Sequence, residues 1–369
     1  MTDYFFEIAL SKLSSVGPVT TRLLVSYCGS AEGVFKEKRT RLEKIPGIGQ
    51  YTPSQISLEA VTEETEKELA FIHANDISIL YYLENQYPSR LKNFQDSPCI
   101  LYYKGNADLN HPRIVAVVGT RNITDYGRAV TERFIEGIRE ADILVVSGLA
   151  YGVDTLAHRK SIECQIQTVG VLGHGLDNIY PQQNRKLADQ MTEHGGLLTQ
   201  FGINTRPDKE NFPLRNKVVA CMADAIVVIE SKLQGGSIIT AEYGNQYHKD
   251  VFAYPGRIID DHSAGCNELI RTNKASLLNG PDDFLQNMQW ISDKRELKKN
   301  FVKELVFDLS PEESSIVSVL DKETKIHIDQ IHYKVNLTPG VLAGLLLTLE
   351  FRGVIRELPG KHYVLNNLV

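Results

Sequence analysis

The spacing of apolar residues divides the chain into three stretches. Through residues 1–70 apolar positions recur every three or four residues, beginning with FFEIALSKL, and predict amphipathic helices joined by short glycine turns. From about residue 77 the pattern changes to short strand-like runs, ISILYYL, YPSRL and PCILYYKG, separated by turn residues. Val/Ile-rich runs then alternate with helical stretches. IVAVVGT (114–120) precedes 127–140, ILVVSGLA (143–150) precedes 154–163, TVGVLG (168–173) precedes 181–194, and AIVVIES (225–231) precedes 237–248. VFAYPG (251–256) reads as the last strand. These runs lack a two-residue alternation, as parallel strands buried on both faces do. The predicted class is α/β, an extended Rossmann-like, doubly wound parallel sheet. Ligands bind such sheets beyond the carboxyl ends of the strands.

A polar, charged stretch at 289–304 reads as a linker. Beyond it, helices are predicted at 311–320, around Ile328–Tyr333 and at 338–351, followed by a hairpin in GVIRELPGKHYVL with Pro359 and Gly360 at its turn. Three helices and a hairpin form a winged-helix layout. The expected domains are therefore 1–70, 71–288 and 305–369, and the 369-residue length suits such a number.

Composition narrows the chemistry. Hydrophobic residues at 42% and charged residues at 23% describe a globular chain able to bury a core. A net charge of −6 excludes a protein that coats nucleic acid through overall charge. Residues 1–90 hold 9 basic and 12 acidic side chains, 91–300 hold 24 and 25, and 301–369 hold 7 and 9. Any anion site must therefore be a local concentration of a few side chains. The five cysteines are scattered and form no CxxC pair, which argues against a disulfide framework or zinc site and for a reducing cytoplasm. The N-terminus has no basic stretch typical of a signal peptide, and no apolar run reaches the roughly 18 residues of a membrane span, so a soluble, cytoplasmic protein is expected.

Candidate chemistry sits in the loops at strand ends. The first strand ends Gly119-Thr120-Arg121, and the second ends Ser147-Gly148, so the dinucleotide fingerprint fails. No P-loop motif exists either. What remains at Thr120 and Arg121 is a small-residue turn with an arginine suited to a phosphate. In SGLAYGVDTLAH, Asp154 and His158 share a helix face, which suits either a catalytic pair or a cap with a satisfied histidine. A third loop, GHGLDNIYPQQN, carries Asp177 and Asn184 near a helix start. The stretch 204–217 carries Arg206, Lys209, Arg215 and Lys217 against Asp208 and Glu210, with Phe212 and Asn216 among them. Basic groups around an aromatic face suit single-stranded nucleic acid; the plain alternative turns Phe212 inward to staple the helix. Gly235, Gly236 and Ser237 open a helix whose free N–H groups can cradle a phosphate. In the helical region, SSVGPVTTRLL around Gly17 and EKIPGIGQYTP around Gly47 resemble each other. The second has the form of a helix-hairpin-helix, which suits either a phosphate contact or a tight turn.

The series GTR (119–121), SGLAYGVD (147–154), GLDNIYPQQN, NFPLRN (211–216), GGSIITAEY (235–243) and AYPG (253–256) resembles, in order, the DprA (Smf) family of DNA-processing proteins. The resemblance spans nearly the full length. It implies a SAM-like N-terminal domain, an extended Rossmann domain and a C-terminal winged helix. It further implies a non-enzymatic role in natural transformation: binding and protecting incoming single-stranded DNA, dimerising through the Rossmann domain, and loading the RecA recombinase. Neither a cofactor nor a metal is implied. Carried over, Thr120, Arg121, Ser147, Gly148, Lys209, Phe212, Arg215, Asn216, Lys217, Gly235, Gly236 and Ser237 are the single-stranded DNA contacts. The third winged-helix helix departs from what a DNA reader needs, being apolar, and suits protein contact or regulation. An alternative on the same sheet is a nucleotide phosphoribohydrolase similar to the LOG enzymes, with Glu242 as its catalytic residue. Gln234, Ile238 and Ile239 depart from that family's PGGxGTxxE motif.

Overall fold

The computed structural model describes residues 4–290, 309–321, 325–335, 337–352, 354–358 and 360–365. They fall in two compact units, Met1–Ser292 and Asp293–Val369.

The first unit opens with six helices, Phe5–Lys12, Pro18–Cys28, Ala31–Lys36, Arg39–Leu42, Tyr51–Gln55 and Glu59–Ala74. Local signals set their ends. Pro18 stands in the first turn of its helix, where its missing N–H costs nothing, and left-handed Gly29 closes that helix. Ser30 caps the next by accepting the Gly33 N–H at 2.9 Å. Leu10, Leu24, Val25, Val34 and Leu42 make this region's own core. The two turns that look alike in sequence differ in conformation. Gly47 and Gly49 are left-handed, at φ 89° and 67°, whereas Gly17 is extended at φ −80° and precedes Pro18 directly. The helix Glu59–Ala74 runs across the expected boundary at residue 70.

Nine strands follow: β1 (Ser78–Tyr81), β2 (Ile100–Gly105), β3 (Ile114–Val118), β4 (Leu144–Ser147), β5 (Thr168–Leu172), β6 (Gly195–Thr199), β7 (Ala225–Val228), β8 (Asp250–Ala253) and β9 (Ser276–Leu277). Their order in the sheet is β1-β2-β6-β5-β4-β3-β7-β8-β9. β3 to β9 are mutually parallel, and β2 pairs antiparallel with β6 and β1 with β2. Every residue of β3 is buried. Ile114, Ala116 and Val118 share one core with Val218 and Met222, while Val115 and Val117 share the opposite one with Phe134, Ile135 and Val153. Each of the buried Val and Ile side chains contributes about 1.5–3 kcal/mol by leaving water, which anchors β3 between the two cores.

The structure corrects three expectations and adds one strand. YPSRL is a short helix, Ser89–Lys92, and not a strand. The added strand, β6, lies in GGLLT, where a Cβ on Gly196 would strike the Tyr103 ring at 2.4 Å. β9 follows β8, so VFAYPG is not the last strand. The stretch 181–194 divides into a 3-10 turn, Gln182–Asn184, and a helix, Arg185–Glu193.

The chain runs from β3 through β4 and β5 to β6 on one side, then returns to place β7 and β8 on the other. The loops after β3 and β7 therefore diverge, and a crevice opens between them.

The second unit holds helices Pro311–Asp321, Ile328–Val335 and Pro339–Phe351 and a small sheet of β10 (Ile326–His327), β11 (Ile355–Leu358) and β12 (His362–Leu365), ordered β10-β12-β11. Ile316, Leu320, Ile331, Leu342, Leu346 and Leu349 are its core. This is the expected winged helix, with Gly360 left-handed at φ 84° in the hairpin turn. Most of the expected linker, 291–304, lies outside the described residues, as does Pro359. No described helix is long and apolar enough to cross a membrane.

Candidate nucleic-acid interface

The crevice is built on two interlocked loops. The Thr120 N–H donates to the Glu230 carbonyl at 2.7 Å, tying the turn after β3 to the end of β7. The Glu230 carboxylate is buried and accepts the Thr124 N–H at 3.0 Å and its hydroxyl at 2.6 Å, which fixes the helix Asp125–Ile138 to the same loop. Gly152 completes the joint. Its φ is 77°, and a Cβ there would stand 2.2 Å from the Thr120 carbonyl, so only glycine lets the loops meet.

Above this joint lies an open cleft of about 540 Å³. Its walls include four cationic side chains, Arg121, Lys209, Arg215 and Lys232, and one carboxylate, Asp154. The half-buried Phe212 ring has the Arg121 guanidinium carbon 5.2 Å from its centroid and that of Arg215 at 5.9 Å. The Tyr180 ring, 45% exposed, lies 6.4 Å from Phe212 at 35°. One edge of Phe212 rests against Gly173, so the ring is fixed without being sealed in.

The two arginines differ in kind. Arg121 and Lys209 are exposed at the rim. Arg215 is buried, donates Nη1 to the Val171 carbonyl at 2.8 Å and Nε to Asn216 Oδ1 at 2.9 Å, and faces buried Asp154. Burial pushes the Asp154 carboxyl up and the guanidinium opposes that shift; burial pushes Arg215 down and Asp154 opposes that. Gly148 makes room for the pair: a Cβ there would stand 2.1 Å from Arg215 Nη1 and 2.5 Å from Asp154 Oδ2. Arg215 is thus part of the wall that holds Phe212.

The far side of the cleft is the start of the helix Gly236–Gln246. Gly235, Gly236 and Ser237 all line the cleft, and the first N–H groups of a helix lack intrahelical acceptors. The Ser237 hydroxyl is held inside, donating to Ser231 Oγ at 2.8 Å. Asn216 bridges the walls, its Nδ2 donating to the Gly236 carbonyl at 3.2 Å.

Of the candidate contacts, Thr120, Arg121, Gly148, Lys209, Phe212, Arg215, Asn216, Gly235, Gly236 and Ser237 come together here. Two do not. Ser147 is buried behind the cleft, its hydroxyl donating to the Val117 carbonyl at 2.6 Å. Lys217 forms an ion pair with Asp96 and donates to the Asp96 carbonyl at 2.9 Å, on another face of the helix Asn211–Met222. Asp154 and His158 form no catalytic pair. His158 is buried between Thr168 Oγ1 at 2.6 Å and the Gly148 carbonyl at 2.5 Å, and Asp154 accepts the Ala150 N–H at 3.3 Å. Asn184 is structural, donating to the Leu149 carbonyl at 3.0 Å, and Asp177 accepts the Asn204 N–H at 3.1 Å. Glu242 is absent from the cleft walls and lies 3.4 Å from Lys274 at the surface. Lys232 and Asn122 were not singled out in the sequence; each follows a strand end by a few residues, the same signal that marks Arg121.

Residues 78–289 match the model of the DNA recombination-mediator protein A family. The chain belongs to this DprA family. Residues 304–361 match the DprA winged helix domain. Protein Smf of Synechocystis is 28% identical over 98% of this DprA-family chain and 98% of its own length. The X-ray structure of DprA from Streptococcus pneumoniae, 32% identical, superposes with a TM-score of 0.65 over 78% of this chain and 98% of that one. The DprA of Helicobacter pylori, whose structure is described for its single-stranded DNA binding mode, is 28% identical with a TM-score of 0.53 over 58% and 95%. The chain is a DNA-processing, recombination-mediator type of protein.

Proposed function

We propose that the cleft binds single-stranded DNA in natural transformation, protecting the strand and presenting it for loading of RecA. The reading rests on Phe212, an aromatic face flanked by two guanidinium groups in an open, net cationic cleft. A strand offers both a base to stack on the ring and phosphates for Arg121, Lys209 and the glycine turn at Gly235–Ser237. Stacking and backbone contacts read no base edges, so binding is largely indifferent to sequence. The single-stranded DNA binding mode of the Helicobacter pylori relative supports it. On this reading the protein is a cytoplasmic, non-enzymatic homodimer through its Rossmann domain, with residues 1–70 as a SAM-like domain and 305–369 as a winged helix. The winged helix serves protein contact, because its helix Pro339–Phe351 carries no basic residue and exposes Val341, Leu347 and Phe351.

Titration of a fluorescent dT oligomer tests the site. Phe212→Ala loses a stacking contact of about 1–3 kcal/mol, a roughly 5- to 150-fold weaker binding. Lys217→Ala, outside the cleft, leaves affinity unchanged. Equal affinity of Phe212→Ala and the wild type overturns the assignment.

A further inference from the structure

A hollow of about 20 Å³ adjoins the cleft and shares Arg121, Ala150, Phe212 and Arg215 with it. Tyr151, Tyr180, Leu149 and Leu172 are among its other walls. The leucines belong to a small core with Ile179, but the two tyrosines do not join it and are 42% and 45% exposed. Tyr151 is tethered, its hydroxyl donating to Gln183 Oε1 at 2.5 Å. Tyr180 is held by its backbone: its N–H donates to His174 Nε2 at 3.3 Å. His174 Nδ1 is bonded to the Gly175 carbonyl at 2.9 Å, and burial pushes the imidazole down, which keeps Nε2 an acceptor. The Tyr180 backbone is thus fixed while its ring stays open to a ligand.

The spacing suits a nucleobase. The Tyr180 and Phe212 centroids are 6.4 Å apart and the rings are 35° from parallel. A base stacked on both needs two gaps of about 3.4 Å, or about 6.8 Å in all. The rings therefore part by about 0.4 Å and flatten their tilt to admit it. The hollow has room for about one water molecule before they do. Tyr180 makes that adjustment by rotating its exposed side chain, a common response at binding surfaces. Arg121 lines both spaces, so a strand whose phosphates lie in the cleft reaches the hollow with a base.

We infer that Tyr180 is a second stacking platform, which with Phe212 clamps one base of the bound strand between two rings. The inference rests on the cleft being the site of single-stranded DNA. Anisotropy titrations of the full chain compare a fluorescent dT oligomer with an abasic oligomer of the same length. Tyr180→Ala weakens dT binding by at least about fivefold and leaves abasic binding unchanged, because only a base can stack. Tyr180→Phe binds both oligomers as the wild type does. Equal weakening of dT and abasic binding by Tyr180→Ala overturns the clamp, since the ring then acts on the backbone or the loop. Phe212→Ala separates the two possible failures. If it weakens dT binding and Tyr180→Ala does not, the clamp is overturned and the cleft stands. If Phe212→Ala binds dT as the wild type does, the cleft reading falls and the clamp with it, whatever Tyr180→Ala does.

Discussion

The salt dependence of binding can be worked out from the cleft. Three of its cations, Arg121, Lys209 and Lys232, are exposed and positioned to meet phosphates, while Arg215 is buried against Asp154 and the Val171 carbonyl. Each neutralised phosphate of a single strand releases counterions worth a slope of about 0.7 in log K against log salt. Three such contacts give a slope of about −2, so raising salt from about 50 to 200 mM weakens binding about 20-fold. Anisotropy titrations of a dT oligomer at four salt concentrations measure it. Replacing any one of the three by Ala flattens the slope by about 0.7, and the triple variant brings it close to zero. The Phe212→Ala variant weakens binding at every salt concentration without changing the slope. A triple variant with the wild-type slope would show that the phosphates are held elsewhere on the chain.

Two further outcomes concern the wall itself. Arg215→Ala removes the buried guanidinium that donates to the Val171 carbonyl and to Asn216 and that opposes the effect of burial on Asp154, which lowers the denaturation midpoint; an unchanged midpoint refutes a structural role for Arg215. His158 is held neutral, because burial pushes its imidazole down to about 4. The unfolded chain binds that proton near pH 6.5 and the folded one does not, so the contribution is complete above pH 6.5 and is lost as pH falls towards 4. The loss is about 3 kcal/mol. Stability curves for the wild type and His158→Gln converge over that window, and parallel curves refute the assignment.

The parallel strands were legible because β3, β4, β5 and β7 are short Val/Ile-rich runs, and the loops that follow them carry Arg121 and the Gly235–Ser237 turn. β6 was not, since its signal is mostly non-local. Gly195 and Gly196 are there because Thr168 and Tyr103 crowd them, which only the folded sheet reveals. The site was legible as a cluster and not as a set of roles. One helix carries Phe212, Arg215, Asn216 and Lys217, and its turn decides which of them meet the cleft. Arg215 and Lys217 read alike as basic residues, yet one is buried behind the aromatic face and the other is paired with Asp96. Ser147 and Ser237 likewise look available in sequence, but their hydroxyls donate to Val117 and Ser231.

Photocrosslinking reads the contact between a base and the Phe212 ring itself. A dT oligomer carrying 5-iodouracil is bound to the full chain and irradiated, and the crosslinked peptide is identified by mass spectrometry. Attachment is expected at Phe212 and is lost in Phe212→Ala. Crosslinks confined to the winged helix or to the N-terminal helices would contradict it.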